Sequence, residues 1–195
     1  MRAFLAVPPD PAWVDRARDF LAGLRPRLPP ASWTRPEAWH LTLKFLGEIS
    51  DAAAGEFADG IAAEIGRTSC GRLSSGGPVL LPPRGRPRVL GIGFSPSPAL
   101  EALVGLARAA DTAGTGIGVA PEKRQFRPHV TLVRLRESWP PAAIETFLRE
   151  ATACSFPEWS VRRCVLYRSE LHPAGAVHAP VREWELEARG AEVRA

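Results

Sequence analysis

Apolar residues along this chain follow two rhythms, and the two alternate. Residues 3–7 (AFLAV) form an unbroken apolar run, the mark of a short buried strand. From Pro11 to Leu24 the apolar positions Val14, Ala17, Phe20, Leu21 and Leu24 recur at helical spacing. A proline-rich turn at 26–30 and the segment SWTRPEAW lead into a strand, HLTLKFLG, at 40–47. Asp51 can cap a helix over 52–66 that Gly66 ends. Residues 70–81 read as a strand interrupted by a turn at SSGG, and PPRGRP (82–87) as a loop.

The order then recurs. RVLGIGF (88–94) is a strand, and 98–113 a helix with Leu100, Leu103, Val104, Leu106 and Ala107 as its apolar positions. The glycine-rich stretch GTGIG (114–118) is a flexible connection leading through EKRQFRP to the strand HVTLVRL. Pro140 opens a helix to about Ala153, and SVRRCVLYRSEL (160–171) and WELEAR (184–189) are strands. Strand, helix, H-x-T strand, helix, strand thus occurs twice. This predicts an α+β fold, duplicated and two-lobed, with antiparallel-rich sheets facing a central cleft and helices outside. Residues 1–195 would form a single bilobal domain with pseudo-repeats about 1–81 and 88–195.

The polar positions of the two H-x-T strands carry the chemistry. Side chains alternate faces along a strand. His40, Thr42 and Lys44 therefore face one way, and Leu41, Leu43 and Phe45 the other. His129, Thr131 and Val133 likewise oppose Val130, Leu132 and Arg134. The apolar faces explain folding. The His/Thr faces do not, since buried polar groups left unpaired cost a few kcal/mol each. Opposed across a cleft, they offer two imidazoles and two hydroxyls to one ligand. Histidine titrates near 6.5, so one ring can be neutral and accept a proton while its twin is charged and donates one. Threonine hydroxyls and a nearby arginine can hold phosphate oxygens. None of these roles needs a metal.

Composition narrows the setting. A chain of 195 residues is long enough to bury about 70% of its unfolded surface. No run approaches the roughly 18 apolar residues of a membrane span, and the apolar stretch near the N-terminus is too short for a signal core, which predicts a cytoplasmic protein. The three cysteines, Cys70, Cys154 and Cys164, form no C-x-x-C pair and read as reduced, buried thiols. Net charge is +4, and only Lys44 and Lys123 among the 25 cations are not arginine. An arginine-dominated surface suits an anionic substrate.

HLTLKFLGE and FRPHVTLVR, with the flanking MRAFLAVPP, WTRPEAW, PRVLGIG and LYRSELHPAGAVH, resemble the two signatures of the two-histidine phosphoesterases. The closer resemblance is to the RNA 2′,3′-cyclic phosphodiesterases, also called 2′-5′ RNA ligases. It implies hydrolysis of RNA 2′,3′-cyclic phosphate ends to 2′-phosphate, with 2′-5′ ligation as the reverse activity. By that resemblance His40 donates and His129 accepts the proton, and Thr42, Thr131 and Arg134 bind phosphate. It implies no cofactor or metal, a monomer, and RNA such as tRNA halves or small cyclic nucleotides as partners. Alternation points Arg134 away from the cleft, so a twist or bulge is required there. Two neighbouring readings are a phosphodiesterase of small cyclic nucleotides or ADP-ribose cyclic phosphate, and a non-catalytic RNA-end binding module; intact histidines argue against the latter.

Trp39 and His178 depart from the family's residues and would alter the nucleoside pocket. His172 and His178, in a Pro/Gly-rich segment, read as solvated loop histidines and not as metal ligands. RGRPR (84–88) is either a solvated loop or an RNA-backbone contact, and Phe45 and Phe126 read as core.

Overall fold

The computed structural model describes residues 1–172 and 175–186. Strand β1 (Arg2–Val7) carries the first apolar run, and α1 (Pro11–Leu24) follows with proline in its first turn, where a missing N–H costs nothing. A two-residue strand β2 (Ser32–Trp33), too short to leave a periodic signal, precedes β3 (Leu41–Glu48). Helix α2 (Asp51–Arg67) starts earlier than expected because Ser50, not Asp51, is the cap: its hydroxyl accepts the Ala53 N–H. After β4 (Arg72–Leu73), the SSGG segment is no turn. It runs into β5 (Ser75–Leu81), where Gly77 at φ +91° absorbs a register shift.

Strand β6 (Val89–Phe94) is followed by α3 (Pro98–Gly116), which takes in most of the glycine-rich stretch expected to be a flexible connection. Then come β7 (His129–Arg134), α4 (Pro141–Ala153), β8 (Trp159–Ser160), β9 (Arg163–His172) and β10 (Gly175–Glu185). The strand expected over 160–171 is thus divided, its first residue pairing with β4 instead. The strand expected at 184–189 begins much earlier, at Gly175, and residues 187–189 lie outside the described ones.

The main sheet has the order β10-β9-β1-β3-β7-β6-β5, with β2 alongside β7. It consists of two lobes that meet at one residue pair, Leu41 with Val130. Lobe 1 is β10-β9-β1-β3 and lobe 2 is β7-β6-β5 with β2. The lobes exchange strands. β5, early in the chain, pairs with β6 of lobe 2, while the late strands β9 and β10 complete lobe 1. Helices α2 and α3 cover lobe 1. α1 and α4 lie together behind lobe 2, where Phe20 meets Phe147 with ring centroids 6.3 Å apart. Leu5, Val7, Leu41, Leu90, Val130 and Leu132 are fully buried between sheet and helices, each such side chain contributing about 1.5–3 kcal/mol.

Candidate active site

The pair that joins the lobes is the middle residue of each H-x-T motif. Continuing its antiparallel register by one residue each way sets His40 across from Thr131 and Thr42 across from His129. Alternation then puts all four on the face opposite Leu41 and Val130, whose side chains are buried. Directly opposed residues have Cβ atoms about 5 Å apart, so the four groups can reach one small ligand.

A second device acts just after each motif. Along β3, Thr42 pairs with Ala6 and Lys44 with Leu5, which leaves Leu43 without an opposite residue. Along β7, Thr131 pairs with Gly91 and Val133 with Leu90, which leaves Leu132 over. Each extra residue is a β-bulge, and it reverses which face the following side chains take. Three expectations change. Lys44, expected beside His40, turns to the helices: it is 6% exposed and donates to Asp111 Oδ1 (2.6 Å) and the Ala120 carbonyl (3.2 Å). Phe45, expected in the core, turns onto the His40 face and is 56% exposed. Val133 goes to the core and, through the bulge, Arg134 comes to the cleft side. Gly91 permits this tight approach, because a Cβ there would run into the Val130 carbonyl oxygen.

A backbone carbonyl lies behind each imidazole. His129 Nδ1 lies 2.7 Å from the Arg127 carbonyl, two residues back, and the Ala38 carbonyl, also two residues back, favours the protonated form of His40. Donation from Nδ1 leaves Nε2 for proton transfer. Burial pushes His40 down to about 3, helped by the fields of His178, Arg134 and His129 and opposed by the Ala38 carbonyl. Burial also lowers His129, with Arg134 acting in the same direction against the Arg127 carbonyl. Dehydration thus works against the charged form of both rings. Arg134 keeps solvent access yet is lowered by desolvation and by Arg2. The charged influences on His40, His129 and Arg134 come from cations and imidazoles, with no carboxylate among them. An anion bound here would favour protonated imidazole.

The family model described as LigT-like phosphoesterase matches residues 7–90 and 93–178, one H-x-T motif in each segment. The chain belongs to the LigT-like phosphoesterases. Among its relatives, the RNA 2′,3′-cyclic phosphodiesterase of Aquifex aeolicus is 30% identical over 155 residues, 79% of this chain and 81% of that protein. The protein of the same description from Aeropyrum pernix is 28% identical over 83% of this chain and 89% of its own length. The crystal structure of TT0787 of Thermus thermophilus superposes with a TM-score of 0.70 at 24% identity, covering 96% of this chain and 99% of that one.

In this LigT-like chain the cleft has more members than the motifs announce. Phe4 stacks on His40 (4.6 Å between centroids, 29° between planes) and on Tyr167 (5.3 Å, 24°). His178 is no solvated loop residue. It lies in β10 opposite Ser169, edge-on to His40 at 5.3 Å and to Phe4 at 4.9 Å. Its Nδ1 is buried without a well-aligned hydrogen bond. Burial and Arg134 lower its proton affinity, while the nearby Val177 carbonyl works the other way but out of line. Phe4 and Tyr167 were readable only as members of apolar strands. Trp39, expected to shape the pocket, is buried at 3% exposure and meets Trp13 at 6.2 Å, behind the sheet. His172 is exposed, 3.7 Å from Glu170.

Phe126 is partly buried against the core, and Arg84 and Arg86 are exposed while Arg88 donates to the Arg136 carbonyl at 2.9 Å. Among the described residues no group of three or more His, Cys, Asp or Glu is placed to hold a metal ion, and no helix is long and apolar enough to cross a membrane. Two hollows lie apart from the motifs: one of about 330 Å³ beside Ser75 and Cys154, and one of about 440 Å³ beside Arg2 and Glu170.

Proposed function

We propose that this protein is an RNA 2′,3′-cyclic phosphodiesterase that opens the cyclic phosphate to a 2′-phosphate. One observation carries the reading: the lobes join at the middle residues of both H-x-T motifs, with Arg134 bulged in beside them and no carboxylate among the groups that act on them. His129, neutral by burial, takes a proton from water as the water oxygen attacks phosphorus. The bond from phosphorus to the 3′ oxygen breaks, and His40 gives that oxygen its proton. His40 acquires this proton together with the anionic substrate, whose charge offsets the dehydration that otherwise keeps the ring neutral. Thr42 and Thr131 donate hydroxyl hydrogen bonds, and Arg134 a charge-assisted one, to the non-bridging oxygens. No step uses a metal or another cofactor. With a 5′-hydroxyl in place of water, the same groups form a 2′-5′ linkage.

The substrate in this reading is the end of an RNA, such as a tRNA half, with small cyclic nucleotides as the alternative. In this reading the chain acts in the cytoplasm as a monomer and a single bilobal domain over 1–195. Incubation with an oligonucleotide ending in a 2′,3′-cyclic phosphate, followed by phosphorus NMR, should give a 2′-phosphate. A 3′-phosphate, or no turnover, would overturn the reading.

A further inference from the structure

Arginines on the helices of this protein are matched by carboxylates: Arg18 holds Asp15 on α1, Arg67 holds Glu64 on α2, and Arg149 holds Glu150 on α4. The hairpin that joins β5 to β6 is different. Its sequence, PPRGRPR (82–88), has three arginines and no acidic residue. Arg84, Arg86 and Arg88 are all exposed, and among the described residues Arg84 and Arg86 have neither a hydrogen bond nor an ion pair. Residues 82–86 are exposed throughout, so the tip adds nothing to the core. It is nevertheless stiff. Pro82, Pro83 and Pro87 fix φ at three positions, and Gly85 at φ +82° turns the chain between the two free arginines. A stiff tip loses little freedom when a ligand docks.

The place of the hairpin decides what these charges are for. Its base is closed by the Arg88 N–H donating to the Leu81 carbonyl at 2.7 Å. Two further bonds fasten it to the end of β7: the Leu135 N–H donates to the Arg88 carbonyl at 2.8 Å, and Arg88 Nη1 to the Arg136 carbonyl at 2.9 Å. Val89, where β6 begins, pairs with Arg134 itself. Arg86 stands three residues before Val89, so at most about 11 Å of backbone separates it from the level of Arg134, and Arg84 at most about 18 Å. Arg136, just past Arg134, is exposed as well. Arg134 in turn feels the cationic field of Arg2 from lobe 1. Like charges gathered without counter-charges suit a polyanion better than one isolated phosphate.

We propose that the β5–β6 hairpin is the docking surface for the RNA strand upstream of the cyclic end, with Arg84 and Arg86 holding its internucleotide phosphates while Arg134 holds the terminal one. A guanidinium meets a phosphate with two parallel N–H donors, and such contacts position a strand without reading its sequence. The proposal rests on the phosphodiesterase reading and adds to it that the protein grips a polymer and not only its last nucleotide.

Two substrates test it: a 2′,3′-cyclic mononucleotide, and a single-stranded oligonucleotide with the same terminal nucleotide. For single strands each neutralised phosphate adds about −0.7 to the slope of log affinity against log salt, so two contacts account for about a 7-fold fall between 50 and 200 mM salt. The double variant Arg84→Gln/Arg86→Gln should lose that part of the salt dependence of kcat/KM on the oligonucleotide. Its KM for the oligonucleotide at 50 mM salt should rise, with kcat and mononucleotide turnover unchanged. Lysine at both positions should keep the slope. Arg18→Gln/Arg67→Gln removes the same charge from the helices and should change neither substrate. An unchanged oligonucleotide slope in the hairpin variant would place the strand elsewhere, equal losses on both substrates would mean that the hairpin supports the site itself, and the same effect from the helix variant would mean overall charge alone; each overturns the proposal. Equal salt dependence of both substrates in the unaltered protein would sink the docking surface while leaving the phosphodiesterase reading intact. Failure to cleave either substrate would sink both.

Discussion

Acidification should unfold this protein through His40 in particular. The ring's proton affinity falls from an ordinary 6.5 to about 3 in the folded state, chiefly by burial. Between those values the unfolded chain holds more protons than the folded one, so stability rises with pH through the window and is fully present above about 6.5. As pH falls, the contribution is lost at about 1.4 kcal/mol per unit. Between pH 7 and pH 5 this amounts to about 2 kcal/mol from His40 alone, since only the tail of the titration falls above 6.5. His129 and His178, both lowered by burial, act in the same direction. The comparison is with His40→Gln, which keeps a polar side chain of similar size but cannot titrate. Urea unfolding followed by the fluorescence of the six tryptophans at pH 5, 6 and 7 should show the native protein losing about 2 kcal/mol more than the variant. Carboxylates titrate alike in both and cancel in the difference. Parallel profiles, within about 0.5 kcal/mol, would refute the buried neutral imidazole and with it the need for the substrate to bring His40 its proton.

Three further outcomes follow from the same geometry. His40→Ala and His129→Ala should each slow cyclic-phosphate opening by roughly 10²–10⁴-fold; with a much better 3′ leaving group His40→Ala should regain most of its rate and His129→Ala should not, and the reverse pattern would exchange their roles. Activity should withstand excess EDTA, and a loss restored by zinc or manganese would contradict the two-imidazole mechanism. Asp111→Asn should destabilise the fold by about 3 kcal/mol in chemical denaturation, because it leaves the buried Lys44 ammonium with the Ala120 carbonyl but no counter-charge; an unchanged midpoint would mean that Lys44 reaches water.

The motif histidines and threonines were legible because a strand face has few reasons to carry them, and the pattern appears twice at matching places. The residues just after them were not. A bulge is a relation between two strands, and Leu43 and Leu132 look like any strand residue until their partners are known. The misplacement of Lys44 and Phe45 follows from that one missing residue of register. His178 was hidden by its Pro/Gly-rich neighbourhood, which suggests a loop, whereas β10 is held by a long antiparallel register with β9. The glycines after Ala113 looked like a break in α3, but Gly114 is packed against Lys44 and Leu46, so burial carries the helix past them.

The exchange of strands between lobes has a consequence for how the protein is born. His40 and Phe4 leave the ribosome early, yet β1 is paired on one side only until β9 arrives, and the rings of Tyr167 and His178 that close around His40 come more than a hundred residues later. At ordinary rates of synthesis that interval is on the order of ten seconds. Throughout it the nascent chain exposes an apolar strand edge and half a cleft, so a chaperone that shields β1 is more useful to this protein than one that acts after release. A break between β5 and β6 would likewise yield no pair of working halves, because each lobe contains strands encoded on the other side of the cut.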